Sequence, residues 1–139
     1  MRLISSLLAL AAATFAPLAQ AAYVPYGIQI GTSVAQVQAW GWTVCYQDNG
    51  YQNTAMRTIL AGCSGTHMML ADGAIGGATF NILAAAKRED VLLSADNPYG
   101  NTTHTANGAE WYFSDVWSMG YTALGNTVSR DSCDTNLAG

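Results

Sequence analysis

Clusters of turn-forming residues divide this chain into short apolar runs, and that division limits its fold more than any other feature. Asp48-Asn49-Gly50, the glycines at 73, 76 and 77, and the polar stretch from Ala95 to Gly108 each interrupt the pattern. Between them lie strand candidates at Thr66 to Ala71, Ala78 to Ala86, Val91 to Ser94, Ala109 to Ser114, Val116 to Thr122 and Thr127 to Arg130. A further candidate alternates Trp42, Val44 and Tyr46 with Thr43, Cys45 and Gln47, and ends at an Asn-Gly step suited to a tight turn. Parallel strands need crossovers of about a dozen residues or more, so short runs joined by turns favour antiparallel pairing.

Two short helices are expected near the start. Ser33 with Gln36 forms a capping box, Val34, Val37 and Trp40 recur at helical spacing, and Gly41 can stop the helix in a left-handed cap. A second helix is predicted from Asn53 as N-cap, with Met56, Ile59 and Leu60 on one face and Gly62 at its end. The expectation is a mostly β fold: an antiparallel sheet or sandwich with one or two short helices.

The first 21 residues read differently. Arg2 precedes an apolar run from Leu3 to Ala13, Pro17 breaks it, and Ala19-Gln20-Ala21 supplies the small-x-small pattern that signal peptidase accepts. The run is shorter than the roughly 20 residues needed to span a bilayer. Residues 1–21 are thus expected to be a signal peptide, and residues 22–139 a single extracellular domain with no transmembrane segment. The expected location is secreted, extracellular or cell-surface.

The chain carries five basic and nine acidic side chains, a formal net charge of −4. Arg2 lies in the leader, so the remainder is more acidic still. Such a surface repels phosphate backbones, which argues against nucleic acid as a partner. Three cysteines follow the leader: Cys45, Cys63 and Cys133. In an oxidising compartment two are expected to pair, and Cys45 with Cys63 is the favoured choice, a closure that contributes roughly 3 kcal/mol in the chain-entropy model. Cys133 is then left for intermolecular pairing, or for a partner beyond Gly139.

The loop from Ala95 to Gly108 contains almost no aliphatic side chain and lies beside Trp111-Tyr112-Phe113, with Trp117 and Tyr121 following. Sugars present C–H faces that stack on rings and hydroxyls that bond amides, so Tyr99, Asn101, His104, Asn107, Trp111 and Trp117 are the ligand-binding candidates. The alternative for the tryptophans is core packing. Catalytic patterns are weaker. Gly62-Cys63-Ser64-Gly65 departs from a nucleophile elbow at Thr66; Cys63 with His67 could form a thiolate-imidazole pair only if Cys63 were reduced; Glu110 and Asp115 are a common chance spacing of two acids. No Cys-x-x-Cys spacing points to zinc. Asp72, Asp96, Asn97 and Asn101 offer hard oxygen ligands but lack EF-hand spacing. Asn101-Thr102-Thr103 is a formal glycosylation acceptor. No catalytic residue, metal or cofactor is assigned.

Gly41-Trp42-Thr43-Val44-Cys45-Tyr46, Met68-Met69-Leu70-Ala71, His104-Thr105-Ala106-Asn107-Gly108 with Trp111-Tyr112-Phe113, and Val128-Ser129-Arg130-Asp131-Ser132-Cys133-Asp134 together resemble an uncharacterised family of small secreted or cell-surface microbial domains. The similarity covers most of residues 41–136. It implies an exported surface domain and assigns no activity. Asp72 stands where that family often has a cysteine, and a further cysteine-tryptophan segment follows the family's last motif, which implies a domain reaching past Gly139.

These readings favour a secreted or cell-surface binding or structural domain without catalysis, in contact with glycan or other cell-surface material. Two alternatives are a subunit of a surface layer or filament, self-associating through Cys133 or sheet edges, and an extracellular hydrolase. The cysteine pairing predicts one reactive thiol per unreduced chain; three reactive thiols on direct titration would contradict it.

Overall fold

A computed structural model of the protein describes residues 21–49, 54–93, 103–115 and 118–128. The chain runs through β1 (Gln29–Ser33), α1 (Val34–Ala39), α2 (Met56–Ala61), β2 (His67–Asp72), β3 (Thr79–Lys87), α3 (Arg88–Val91), β4 (His104–Ala106), β5 (Ala109–Phe113) and β6 (Met119–Ala123). Two antiparallel three-stranded sheets form, with strand orders β1-β3-β2 and β4-β5-β6. The fold is therefore mostly β with short helices, as the turn spacing predicts. Among the described residues no helix is long and apolar enough to cross a membrane.

Strand register explains which side chains meet between the sheets. Met68 lies opposite Ala86 and Leu70 opposite Ala84, so these four share one face of the first sheet. In the second sheet Trp111 lies opposite Tyr121 and Ala109 opposite Ala123. Met68, Ala84, Ala86, Val91, Ala109, Trp111 and Tyr121 form one buried cluster, with Ile28, Leu60, Leu70, Ile82 and Met119 packed around it. Trp111 and Tyr121 stack obliquely, their ring centroids 5.5 Å apart. The run Ala84-Ala85-Ala86 has high intrinsic helix propensity, yet it lies within a strand. Packing overrides propensity here, because small side chains on β3 leave room for the large rings of the facing sheet.

The Ser33 cap and the glycine stops at 41 and 62 are realised. Ser33 Oγ accepts the backbone N–H of Gln36 at 3.1 Å and opens α1. Beyond Trp40, Gly41 adopts φ +89°. Helix α2 ends at Gly62, but its N-cap position is Ala55, with no side-chain bond; the expected cap, Asn53, lies outside the described residues.

Other expectations are corrected. Trp42 to Tyr46 forms no strand: the Trp42 indole N–H donates to the Tyr23 carbonyl at 2.7 Å, Cys45 is bonded to Cys63, and Val44 is exposed with no sheet to cover it. Val91 belongs to a third helix, α3, rather than a strand, and Glu89 and Asp90 sit in its first turn, where acidic charge is favourable. Thr127 and Val128 lie in no strand, although Val128 is buried against Tyr112; residues 129 and 130 lie outside the described set. Two strands were not expected: β1, whose Ile30 is exposed, and β4, inside the polar stretch.

One residue ties the two sheets and the N-terminal segment together. Asn107-Gly108 joins β4 to β5 with φ +45° and +79°, the pattern of a type I′ hairpin turn. The β1–β3 register, continued two residues beyond Gln29 opposite Leu83, would bring Gly27 opposite Ala85. Gly27 instead adopts φ +68° and donates its N–H to the Asn107 carbonyl at 2.8 Å. The side-chain amide of Asn107 then donates to the carbonyls of Ala85 and Pro25, both at 2.7 Å. Asn107 thereby takes the place of a strand neighbour for the first sheet while turning a hairpin in the second. Glycine is favoured at 108 by its φ of +79°, and a Cβ there would also fall 3.0 Å from Gly27 Cα.

Asn107→Ala leaves two part-buried carbonyls without donors and puts an alanine at positive φ, so it should lower stability in urea unfolding by roughly 2–4 kcal/mol. Asn107→Gly keeps the turn and should cost less, because it loses the amide bonds without the strain at positive φ; an Asn107→Gly protein as stable as the parent would mean that the amide bonds contribute nothing.

Candidate functional site

The aromatic residues separate into a buried set and an exposed set. Trp111 is 1% exposed, and Tyr112, Phe113 and Tyr121 are also buried. Tyr23 and Tyr26, by contrast, are 58% and 72% exposed. Trp40 and Trp42 are half-buried.

The exposed set is built by the end of α1. Gly41 at positive φ turns the chain back, and a Cβ at this position would lie 3.3 Å from Ala22 Cα, so the N-terminal segment lies closely against it. Tyr23 N–H donates to the Trp40 carbonyl at 2.8 Å, and the Trp42 indole N–H donates to the Tyr23 carbonyl at 2.7 Å. These bonds seat the Tyr23 ring against Trp40, with centroids 5.4 Å apart and planes tilted by 55°. Further along, Pro25 is buried and its carbonyl accepts from Asn107, while the Tyr26 ring lies over Gly108. The segment bearing both tyrosines is thus held at Tyr23 and again at Pro25. Its rings are offered from an ordered backbone, which reduces the entropy lost when a ligand binds.

A second polar locus surrounds α3. His104 lies opposite Trp111, on the same face of its sheet, and its Nε2 is 3.1 Å from Asp90 Oδ1, with both side chains about one-third exposed. Arg88 Nε donates to the Cys63 carbonyl at 3.0 Å, and Arg88 N–H donates to the Thr66 carbonyl at 2.9 Å. Thr66 Oγ1 lies 3.1 Å from His67 Nδ1. This network joins the helix to the disulfide and to the edge of the first sheet.

Comparison with known protein families, curated proteins and solved structures finds no match for this chain.

Of the six sequence-based ligand candidates three are described: His104 lies opposite Trp111 across β4 and β5, and Asn107 is in the turn joining those strands. Tyr99, Asn101 and Trp117 lie outside the described residues. Trp111 offers no ring face to a ligand, being enclosed between the sheets, and its indole N–H donates to the Ala106 carbonyl at 3.0 Å. Both amide N–H groups of Asn107 serve protein carbonyls. His104 is engaged with Asp90 at the sheet edge.

Cys63 cannot act as a thiolate beside His67, because it forms a disulfide with Cys45 across a Cα separation of 5.2 Å. Glu110 accepts the Thr105 hydroxyl at 2.9 Å, and Asp115 is exposed past the end of β5. Among the described residues no group of three or more His, Cys, Asp or Glu side chains is placed to hold a metal ion. The exposed aromatic corner was missed because Trp40 and Trp42 read as helix and strand positions. The signal that could have found it is the concentration of Tyr23, Tyr26, Trp40 and Trp42 around a helix-stopping glycine.

Among the described residues, Tyr46 is the ionisable group that is clearly displaced. Tyr46 donates its hydroxyl to Asp48 Oδ2 at 2.6 Å, and that bond to a carboxylate holds its pKa above the ordinary tyrosine value. The protonated phenol makes the bond, so its contribution to stability is complete below the unfolded tyrosine pKa of about 10 and is lost as pH rises through the higher folded value. Ultraviolet titration of tyrosinate should therefore contain a late component that disappears in Asp48→Asn. An unchanged curve would show that the bond is not held in solution.

Proposed function

We propose that the protein is an exported, non-catalytic binding domain that contacts glycan or other cell-surface material through the corner formed by Tyr23, Tyr26, Trp40 and Trp42. The observation that carries this reading is the pair of exposed tyrosine rings on a backbone held at Tyr23 by Trp40 and Trp42 and at Pro25 by Asn107. Sugar C–H faces stack on such rings, and nearby polar side chains such as Gln38 supply partners for hydroxyls. The earlier candidates Tyr99, Asn101 and Trp117 remain part of the proposal as further contacts.

Export rests on the leader pattern, and the Cys45–Cys63 disulfide suits an oxidising compartment. The resemblance to secreted or cell-surface microbial domains points the same way.

Self-association is the second reading. Strand β1 is at the edge of its sheet and holds Ile30 at 77% exposure, a surface that a second copy could cover by strand pairing. Sedimentation of the protein and of Ile30→Lys would reveal it as a concentration-dependent species that the variant lacks.

Titration of the protein with a glycan panel should give a saturable change in tryptophan emission from Trp40 and Trp42, and Tyr23→Ala should weaken it by about tenfold. Emission that stays constant across the panel, or binding that survives both Tyr23→Ala and Tyr26→Ala, would overturn the glycan reading. Hydrolysis of a panel member, lost in Glu110→Gln, would replace it with the hydrolase reading.

A further inference from the structure

We propose that Asn107-Gly108 is a site of spontaneous deamidation that the fold holds closed, and that its conversion, once it occurs in an opened state, permanently releases the clamp between the two sheets and the N-terminal segment.

The chemistry belongs to the dipeptide. Glycine has no Cβ to hinder its backbone nitrogen, so Gly108 N can attack Cγ of the Asn107 amide. A bond forms between Gly108 N and Cγ, the bond from Cγ to Nδ2 breaks, and Nδ2 departs as ammonia with the proton displaced from the attacking nitrogen. Water then opens the five-membered imide at either carbonyl, leaving aspartate or an isoaspartyl linkage. Only solvent water is consumed.

In the folded protein each part of that step is obstructed. The leaving nitrogen donates to Pro25 O and Ala85 O, both at 2.7 Å, so the amide must abandon two partners before it can turn toward Gly108. The turn is braced at the Asn107 carbonyl by Gly27 N–H at 2.8 Å. The Gly27 backbone lies close over Gly108, where an added Cβ would fall 3.0 Å from Gly27 Cα, and the Tyr26 ring lies alongside. Rotation that brings the glycine nitrogen onto Cγ therefore requires the segment carrying Pro25, Tyr26 and Gly27 to lift away. That local opening exposes the amide, frees its nitrogen and relaxes the backbone together.

The product cannot restore what is lost. An aspartate at this position has no N–H, and its carboxylate would face the same two carbonyl oxygens, acceptor against acceptor with a charge added. An isoaspartyl linkage lengthens the backbone within a two-residue turn and alters the β4–β5 register. Either product leaves Pro25 O and Ala85 O without their donor. The site thus records how often the N-terminal segment has opened.

The chain contains a second Asn-Gly pair, Asn49-Gly50, with Asn49 exposed. It serves as an internal reference for the same chemistry in the same tube. Incubation of the intact protein at mildly alkaline pH, followed by peptide mass mapping, reads both sites. Asn107 should convert at least about tenfold more slowly in buffer than in concentrated urea. Trp42→Phe, which removes the indole bond to Tyr23, should speed conversion at Asn107 and leave Asn49 unchanged. Protein converted at Asn107 should unfold at lower urea than unconverted protein from the same sample, as should Asn107→Asp. Equal rates at Asn107 in buffer and in urea would overturn the protection, and a converted fraction as stable as the unconverted one would overturn the release.

Discussion

A three-stranded sheet with two open edges has little to hold it against a second such sheet except apolar contact, and apolar contact does not select one alignment sharply. The Asn107 amide provides the alignment. Its two N–H groups reach a carbonyl of β3 and a carbonyl of the N-terminal segment, while its own backbone turns the β4–β5 hairpin. Three parts of the chain separated by up to 82 positions are thereby fixed to one another. Directional bonds of this kind set register where burial alone sets only proximity.

The core between the sheets depends on that alignment because its components are unequal in size. Ala84 and Ala86 on one side share a cluster with Trp111 and Tyr121 on the other, an arrangement that fills space only when small and large positions face each other. A slip of one residue would exchange the faces of every strand involved. The α3 corner contributes a further tie, with Val91 buried in the same cluster and Asp90 bound to His104 of β4. The disulfide holds the arm beyond Trp42 to the end of α2, and Arg88 joins it to the sheet through the Cys63 carbonyl.

The same clamp also underlies the proposed binding corner. Tyr23 and Tyr26 flank Pro25, and Pro25 is where the N-terminal segment meets Asn107. Release of that contact would remove one of the ties on the segment, leaving those at Trp40 and Trp42 and the Gln29 amide bond to the Tyr26 carbonyl. Stability of the sandwich and order in the aromatic surface are thus two consequences of one set of bonds.

Much of the local structure was legible from residue order. Ser33 with Gln36 announces a helix start, Gly41 and Gly62 announce helix ends, the runs at 66–71, 78–86 and 109–114 bounded by turn residues announce the strands found at 67–72, 79–87 and 109–113, and the spacing of Cys45 and Cys63 suits a loop closure. These signals act over a few residues or through covalent chemistry, so they survive without knowledge of neighbours. Tertiary structure decided the rest. Strand β4 exists because Ala109 to Trp111 pair with it, Trp42 to Tyr46 is not a strand because no edge receives it, and Trp111 is core because alanines of a distant strand make room for it. Whether an aromatic ring faces solvent or the opposite sheet depends on which strands meet, and that depends on hydrogen bonds between residues far apart in the chain, which local pattern does not encode.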